Sequence, residues 1–334
     1  MKKTKIAING FGRIGRLALR RALARPELEV VCVNDLADNV ALTYLYERDS
    51  VHGRAAGPVS LDGETLVVGD ARIRFTSLRD PRECPWGELG VDIVLEATGV
   101  FTDRDKAALH LEGGAKRVLI SAPAKGPDIT VCLGVNHEDY DPAKHTIVSN
   151  ASCTTNCVAP VLKALNDAYG VTSGLLNTVH AYTMGQGLLD APVKKELRRG
   201  RAAALNLVPT TTGAAKAVGL VIPELQGKLD GFAVRVPVPT GSLADLTLTL
   251  GASPSIDELH ATLRAFEARH PTVLQVSDEE LVSSDIIGDE HSSVVDSLMT
   301  MKAGDLYKVV AWYDNEAGYA TRLVDVAQYM GARG

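Results

Sequence analysis

Short apolar runs alternate with helical patterns through the first 150 residues. Lys5 to Asn9 carries Ile6, Ala7 and Ile8 in an extended pattern. Ile14 to Ala24 then spaces its apolar positions as a helix does, and Leu28 to Asn34 is extended again. Ile93 to Glu96 and Arg117 to Ser121 are two further runs of strand length, the second followed by Ala122-Pro123. Strand, helix and strand in alternation predict a parallel sheet covered on both faces. Between them, Val59 to Phe75 reads as a hairpin, with Asp62-Gly63 and Gly69-Asp70 as turns between apolar triplets.

The pattern changes near residue 150. Asn156 to Tyr169 predicts a helix ended by Gly170, and Leu175 to Tyr182 a strand. Gly185 to Arg201 is polar, irregular and arginine-rich. It is too long for a simple connection, which marks it as functional or as an interface. Phe232 to Val238 and Leu243 to Leu250 read as adjacent strands, Ile256 to Arg269 as an amphipathic helix, Leu306 to Tyr313 as a strand and Gly318 to Tyr329 as a closing helix. The expected class is α/β, with a second domain of α+β type and a mainly antiparallel sheet. No internal repeat or low-complexity tract interrupts it.

Composition narrows the function. The chain has 334 residues, which suggests about two domains. With 35 basic and 41 acidic residues the net charge is −6, so no long-range positive field draws in nucleic acid. Any anionic ligand must be held by local arginines and backbone N–H groups. No run approaches the ~18–20 apolar residues of a membrane span. The basic Met1-Lys2-Lys3-Thr4-Lys5 start leads into too short an apolar run for a signal peptide, so a cytoplasmic location is expected. Five cysteines, an odd count without a CxxC pair, argue against a disulfide framework. No Cys/His pair stands at metal-ligand spacing, and no metal is expected.

Chemistry enters at Gly10-Phe11-Gly12-Arg13-Ile14-Gly15, a GxGxxG spacing that alone is weak. Here a strand precedes it, a helix follows, and Asp35 closes the next strand 20 residues beyond Gly15. That context is the Rossmann-type dinucleotide fingerprint. The glycines let the backbone approach the pyrophosphate, and the helix start supplies N–H donors. Asp35 would accept from the ribose hydroxyls and repel a 2′-phosphate, favouring NAD over NADP.

Ser149-Asn150-Ala151-Ser152-Cys153-Thr154-Thr155-Asn156-Cys157 stands where a helix begins. A thiol at a helix N-terminus feels ordered N–H groups that raise its thiolate fraction. Two readings stand for Cys153, a nucleophile or a small core hydrophobe, whereas Cys157, one turn deeper, reads as inert. His180, at the end of a strand-like run, is the best base among eight histidines, with a structural histidine as the alternative. Three segments offer anion ligands. Leu197-Arg198-Arg199-Gly200-Arg201 is also readable as a solvated basic face. Pro209-Thr210-Thr211-Thr212-Gly213-Ala214-Ala215-Lys216 is also readable as a helix cap. Arg235 interrupts an apolar strand, where an unpaired charge costs several kcal/mol, so an anionic partner is expected.

Together, Ile8 to Arg16, Ser149 to Cys157, His180 to Thr183, Pro209 to Lys216 and Trp312-Tyr313-Asp314-Asn315-Glu316 resemble the phosphorylating glyceraldehyde-3-phosphate dehydrogenases, over nearly the whole chain. The resemblance implies an NAD-binding domain over 1–152, a catalytic domain over 153–317, and a C-terminal helix over 318–334 returning to the first domain, in a homotetramer. It implies that Cys153 attacks an aldehyde and His180 takes the proton. Hydride passes to NAD, and inorganic phosphate cleaves the thioester, converting D-glyceraldehyde 3-phosphate to 1,3-bisphosphoglycerate. Thr183 and Arg235 would hold the substrate phosphate. Ser152, Thr154, Thr212, Gly213 and Arg199, or its neighbour Arg198, would hold the attacking one. Arg13, Ile14, Arg79, Ser121 and Asn315 would complete the NAD contacts. Erythrose-4-phosphate dehydrogenase is the nearest alternative, but its pattern lacks the Thr-Thr-Thr-Gly-Ala-Ala-Lys run; a catalytically idle binding protein is the other.

Two departures stand out. The family usually continues Asn-Asp-Gln after His180-Ala181-Tyr182-Thr183, where this chain has Met184-Gly185-Gln186-Gly187, and residues 266–280 also differ. Pro192 stands where NADP-using relatives tend to carry serine.

Overall fold

Parallel strands covered on both faces bury apolar residues in succession, and β1 (Thr4–Asn9) does so with Ile6, Ala7 and Ile8 fully buried. A computed structural model describes residues 3–194 and 196–334. Within it, residues up to 133 form one compact unit with 137–151 and 320–334, and residues 134–136 and 152–319 form a second.

In the first unit β1 lies between β2 (Leu28–Asn34) and the strand Ile93–Glu96, both parallel to it. The side chains of β1 alternate between two cores. Ile6 and Ile8 join Phe11, Leu19, Val33 and Phe75 on one side, and Ala7 joins Cys32, Val94 and Trp86 on the other. The expected hairpin is a three-stranded antiparallel meander, Val59–Asp62, Thr65–Val68 and Ala71–Thr76. Its last strand runs parallel to β2, extending the sheet to nine strands. Residues 320–334 supply Leu323, Val324, Val326, Ala327 and Met330 to the core of Ile6 and Ile8. Asp325 accepts a 2.9 Å bond from Arg25 there.

The second unit is built on a seven-stranded sheet. We label its strands β3 (Val171–Ala181), β4 (Val208–Thr211), β5 (Leu229–Val236), β6 (Ser242–Leu250), β7 (Leu274–Ser277), β8 (Ser293–Ala303) and β9 (Leu306–Tyr313). Their order is β4-β5-β3-β6-β9-β8-β7, with four antiparallel and two parallel pairs. One expectation is corrected: β5 and β6 are not neighbours, because β3 lies between them, parallel to β5 and antiparallel to β6. Pro237 and Pro239 forbid a tight hairpin and let the connection step over β3. Edge strand β4 places Val208 beside Arg235, which in turn is level with His180 on β3.

The helix α1 of this unit, Cys153–Tyr169, packs against the sheet and against Ile256–Arg269. It begins three residues before the apolar pattern does, because Ser152 caps it by accepting from Thr155 N–H. Among the described residues no helix is long and apolar enough to cross a membrane.

Candidate active site

In the first unit the glycine loop is fixed by close packing. Gly10 has φ +94°, and a Cβ there would stand 2.7 Å from Thr98 N; a Cβ on Gly15 would stand 2.1 Å from Gly10 O. Gly12, by contrast, has open space beside it and caps the helix Arg13–Leu23 without any side-chain bond or first-turn acid. That helix start therefore has no side-chain cap at Gly12. Asp35, at the end of β2, accepts 2.7 Å from Phe11 N–H and 2.9 Å from Ala37 N–H, which pins its carboxylate beside the loop. An uncapped helix start, a glycine with room beside it and an adjoining carboxylate fit a dinucleotide's pyrophosphate and ribose.

The other positions expected there vary. Arg13 is ion-paired to Asp49, Ile14 packs on the core, and Ser121 N–H donates to Glu96 O at 2.9 Å. Arg79 is exposed. Sequence reasoning passed over the brace beneath the loop. Asn9 donates to the buried Glu96 at 2.6 Å, Asn34 donates to Asn9 at 2.7 Å, and His110 lies 3.0 Å from Glu96.

In the second unit, Cys153 is the first residue of α1. Its Sγ lies 3.5 Å from His180 Nε2. The backbone N–H groups of Cys153 and Thr154 and the Thr154 hydroxyl face the sulfur. Burial pushes the thiol above its ordinary value, while Arg235 and these donors pull it back. His180 is pushed down to about 3 by burial and then by Arg235. Both shifts oppose a lone charge on either group. Passing the proton from Sγ to Nε2 leaves the pair's net charge at zero, so burial resists that transfer far less than it resists ionising one member alone.

Two groups compete for His180 Nδ1: Ala181 O, which can only accept, and Arg235 Nη1, which can only donate, each at 2.7 Å. With the proton on Nδ1, directed at the carbonyl, Nε2 presents a lone pair to Cys153. Arg235 Nη1 donates to the same carbonyl at 2.9 Å. Behind the imidazole, Tyr313 stacks edge-on at 5.9 Å, its hydroxyl 2.8 Å from both Thr154 and Thr178. Tyr313 belongs to the motif Trp312 to Glu316, but nothing in its spacing announced this contact.

The anion candidates are grouped in part. Arg199 is half-buried and Arg198 exposed. Arg199 Nε is 2.6 Å from Thr210 Oγ1 and 2.7 Å from Glu196, and its charge is felt at both His180 and Arg235. Thr212 Oγ1 accepts from Ala214 N–H and Gly213 caps Ala214–Val221. Ser152 and Thr154 already spend their hydroxyls on Thr155 and Tyr313. Thr183 is exposed, and among the described residues no hydrogen bond joins it to Arg235. Asn315 is buried, with Oδ1 accepting from Ser242 at 2.7 Å.

Comparison with known proteins identifies the family. Residues 4–104 match the family model described as glyceraldehyde 3-phosphate dehydrogenase, NAD binding domain, and residues 152–315 match its C-terminal domain. The chain is 54% identical to glyceraldehyde-3-phosphate dehydrogenase 2 of Streptomyces arenae over 330 residues, covering 98% of each chain. It is 53% identical to glyceraldehyde-3-phosphate dehydrogenase of Geobacillus stearothermophilus over 332 residues, covering 99% of each. It is also 53% identical to that of Mycobacterium tuberculosis (strain ATCC 25618 / H37Rv) over 335 residues, covering 98% of each. The protein with this glycine loop and this Cys153–His180 pair belongs to the glyceraldehyde-3-phosphate dehydrogenase family.

Proposed function

We infer that this protein oxidises D-glyceraldehyde 3-phosphate to 1,3-bisphosphoglycerate, using NAD and inorganic phosphate. The observation that carries the reading is the 3.5 Å approach of Cys153 Sγ to His180 Nε2 at a helix start. Gly10, Gly12 and Gly15 would hold NAD through the loop backbone, and Asp35 through its carboxylate. Arg13, Ile14, Arg79 and Ser121 complete that set, and Asn315 offers its Nδ2 donor to the carboxamide. When bound, NAD accepts the hydride from the substrate carbon.

The chain's own residues do the rest. Cys153 Sγ attacks the aldehyde carbon while its proton passes through His180 Nε2 to the new oxygen, giving a hemithioacetal. As the hydride leaves, Nε2 takes the hydroxyl proton and a thioester to Cys153 remains. An oxygen of inorganic phosphate then attacks the thioester carbon. The C–S bond breaks, and His180 returns the proton to sulfur as the acyl phosphate departs. Thr183 and Arg235 would bind the substrate's own phosphate. Arg199, Thr212, Gly213, Ser152 and Thr154 would bind the attacking one, which must draw the last two hydroxyls from their present partners.

A cytoplasmic homotetramer completes the proposal. Its support is the apolar surface of the loop after His180, where Leu188 is 78% and Leu189 79% exposed, with Leu197 and Leu205 each 82%. The test is NADH production from glyceraldehyde 3-phosphate. One equivalent of NADH per chain is expected without phosphate, and sustained turnover with it. Equal turnover when phosphate is omitted would overturn the phosphorylating assignment.

A further inference from the structure

Among the described residues only two other than glycine have left-handed backbone, Ala151 at φ 54° and Glu196 at φ 50°. Left-handed backbone on a residue with a Cβ costs on the order of 1–3 kcal/mol and persists where surrounding contacts enforce it. Ala151 forms the turn into Ser152 and Cys153. Glu196 lies far along the chain, in a segment of the second unit that is otherwise exposed and irregular, and it ends in a dense set of bonds.

Its carboxylate meets the edge strand β4 and the following arginine at once. Oε2 accepts from Thr210 Oγ1 at 2.8 Å and pairs with Arg199 Nε at 2.7 Å. Oε1 accepts from Thr211 N–H at 2.8 Å and also from the Thr211 hydroxyl. The Thr211 N–H is an outward edge donor of β4 with no strand beyond it. The Thr211 hydroxyl, first among these contacts, holds Glu196 at about 2, so it is a carboxylate at any working pH.

These contacts fix Arg199. With Nε held by Glu196 and Thr210, and Nη2 3.5 Å from Thr211 O, one edge of the guanidinium is anchored. Nη1 takes no hydrogen-bond partner among the described residues. The same carboxylate offsets the charge of Arg199 near Arg235. Without it, two guanidiniums would repel, and the arginine would lose its orientation.

We propose that Glu196 is a positioning residue: its carboxylate locks the turn Leu197–Gly200 onto β4 and so aims Arg199 at the phosphate that resolves the thioester. The proposal rests on the phosphorylating reading above. It separates the two half-reactions, because acylation of Cys153 needs no bound inorganic phosphate while deacylation does. A pre-organised guanidinium contributes only to the second.

The experiment compares Glu196→Gln and Glu196→Asp with the unaltered enzyme, measuring the phosphate-free NADH burst and the phosphate KM. Glu196→Gln keeps the size but turns a donor toward Arg199. It is expected to raise the phosphate KM about tenfold, in line with losing one charged hydrogen bond, with the burst rate within about twofold. Glu196→Asp keeps the charge and should recover most of the loss. Should Glu196→Gln fail to fold, Thr211→Val removes one donor to the same carboxylate and is expected to raise the phosphate KM severalfold. An unchanged phosphate KM in the folded variant, or a burst that falls in step with the phosphate reaction, would overturn the proposal. If the unaltered enzyme turned over equally without phosphate, the phosphorylating reading itself would have failed instead.

Discussion

A buried imidazole that resists protonation keeps a lone pair to use. His180 sets Nε2 against sulfur, with Nδ1 between Ala181 O and Arg235 Nη1, and its low affinity for a proton keeps the ring neutral across the working pH range. Removing it leaves the thiol under burial with no adjacent acceptor. His180→Asn should therefore lower kcat about 10²–10⁴-fold, and the remaining kcat/KM should rise toward alkaline pH as the thiol ionises unaided. An unaltered pH profile would show that the imidazole is not the base. Stability carries a second sign. Below the ordinary histidine value near 6.5 the unfolded chain binds a proton that the folded chain refuses until about pH 3, so His180 costs stability increasingly as pH falls through that window. His180→Asn should flatten the fall of Tm on acidification. At this scale the sequence was partly legible. Ser152 announces a capped helix start just before Cys153 because serine is a capping residue type. Glu196 and Tyr313 did not stand out, since Glu196 meets Thr210 14 residues on and Tyr313 meets Thr154 159 residues back in sequence.

Helix starts are the elements on which both units place their polar work. In the first unit the helix Arg13–Leu23 is set against β1 with Gly15 so close to Gly10 O that no side chain fits between. Gly15→Ala should push the loop and the helix start apart. We expect the dissociation constant for NAD to rise roughly tenfold or more, the scale of a 1 Å misplacement spread over several N–H donors. The acylation rate at saturating NAD should change little by comparison. Calorimetric titration with NAD reads the first quantity, and unchanged affinity would mean that the loop tolerates the shift. Strands buried on both faces, such as Ile6 to Ile8, were legible because burial writes itself as an unbroken apolar run. Adjacency was not. The patterns of β5 and β6 describe two strands equally well whether they pair or flank β3, and only the sheet's hydrogen bonds decide. The start of α1 was misplaced for a related reason. Thr154 and Thr155 carry weak helix propensity, which the cap and packing override.

For the whole molecule, the decisive quantity is apolar surface left uncovered. Hydropathy marks Leu188, Leu189, Leu197 and Leu205 only as apolar, and nothing in their spacing says that all four stay exposed in a single chain. Scattered exposed leucines are ordinary, but four within 18 residues, beside Met184 at 89% and Leu207 at 69%, concentrate what a solitary chain would normally bury. The sheet of the second unit adds Leu175 and Phe232, exposed on β3 and β5. A net charge of −6 spread over 334 residues is too small to keep such surfaces apart by repulsion. We therefore expect sedimentation equilibrium at micromolar concentration to report a particle of four chains. Replacing Leu188 and Leu189 together by Asp should shift it to smaller species while far-UV circular dichroism stays native, because both side chains lie outside every core. A single sedimenting chain before substitution, or an undiminished tetramer after it, would place the association surface elsewhere. The exposed loop would then need another reason to carry its leucines.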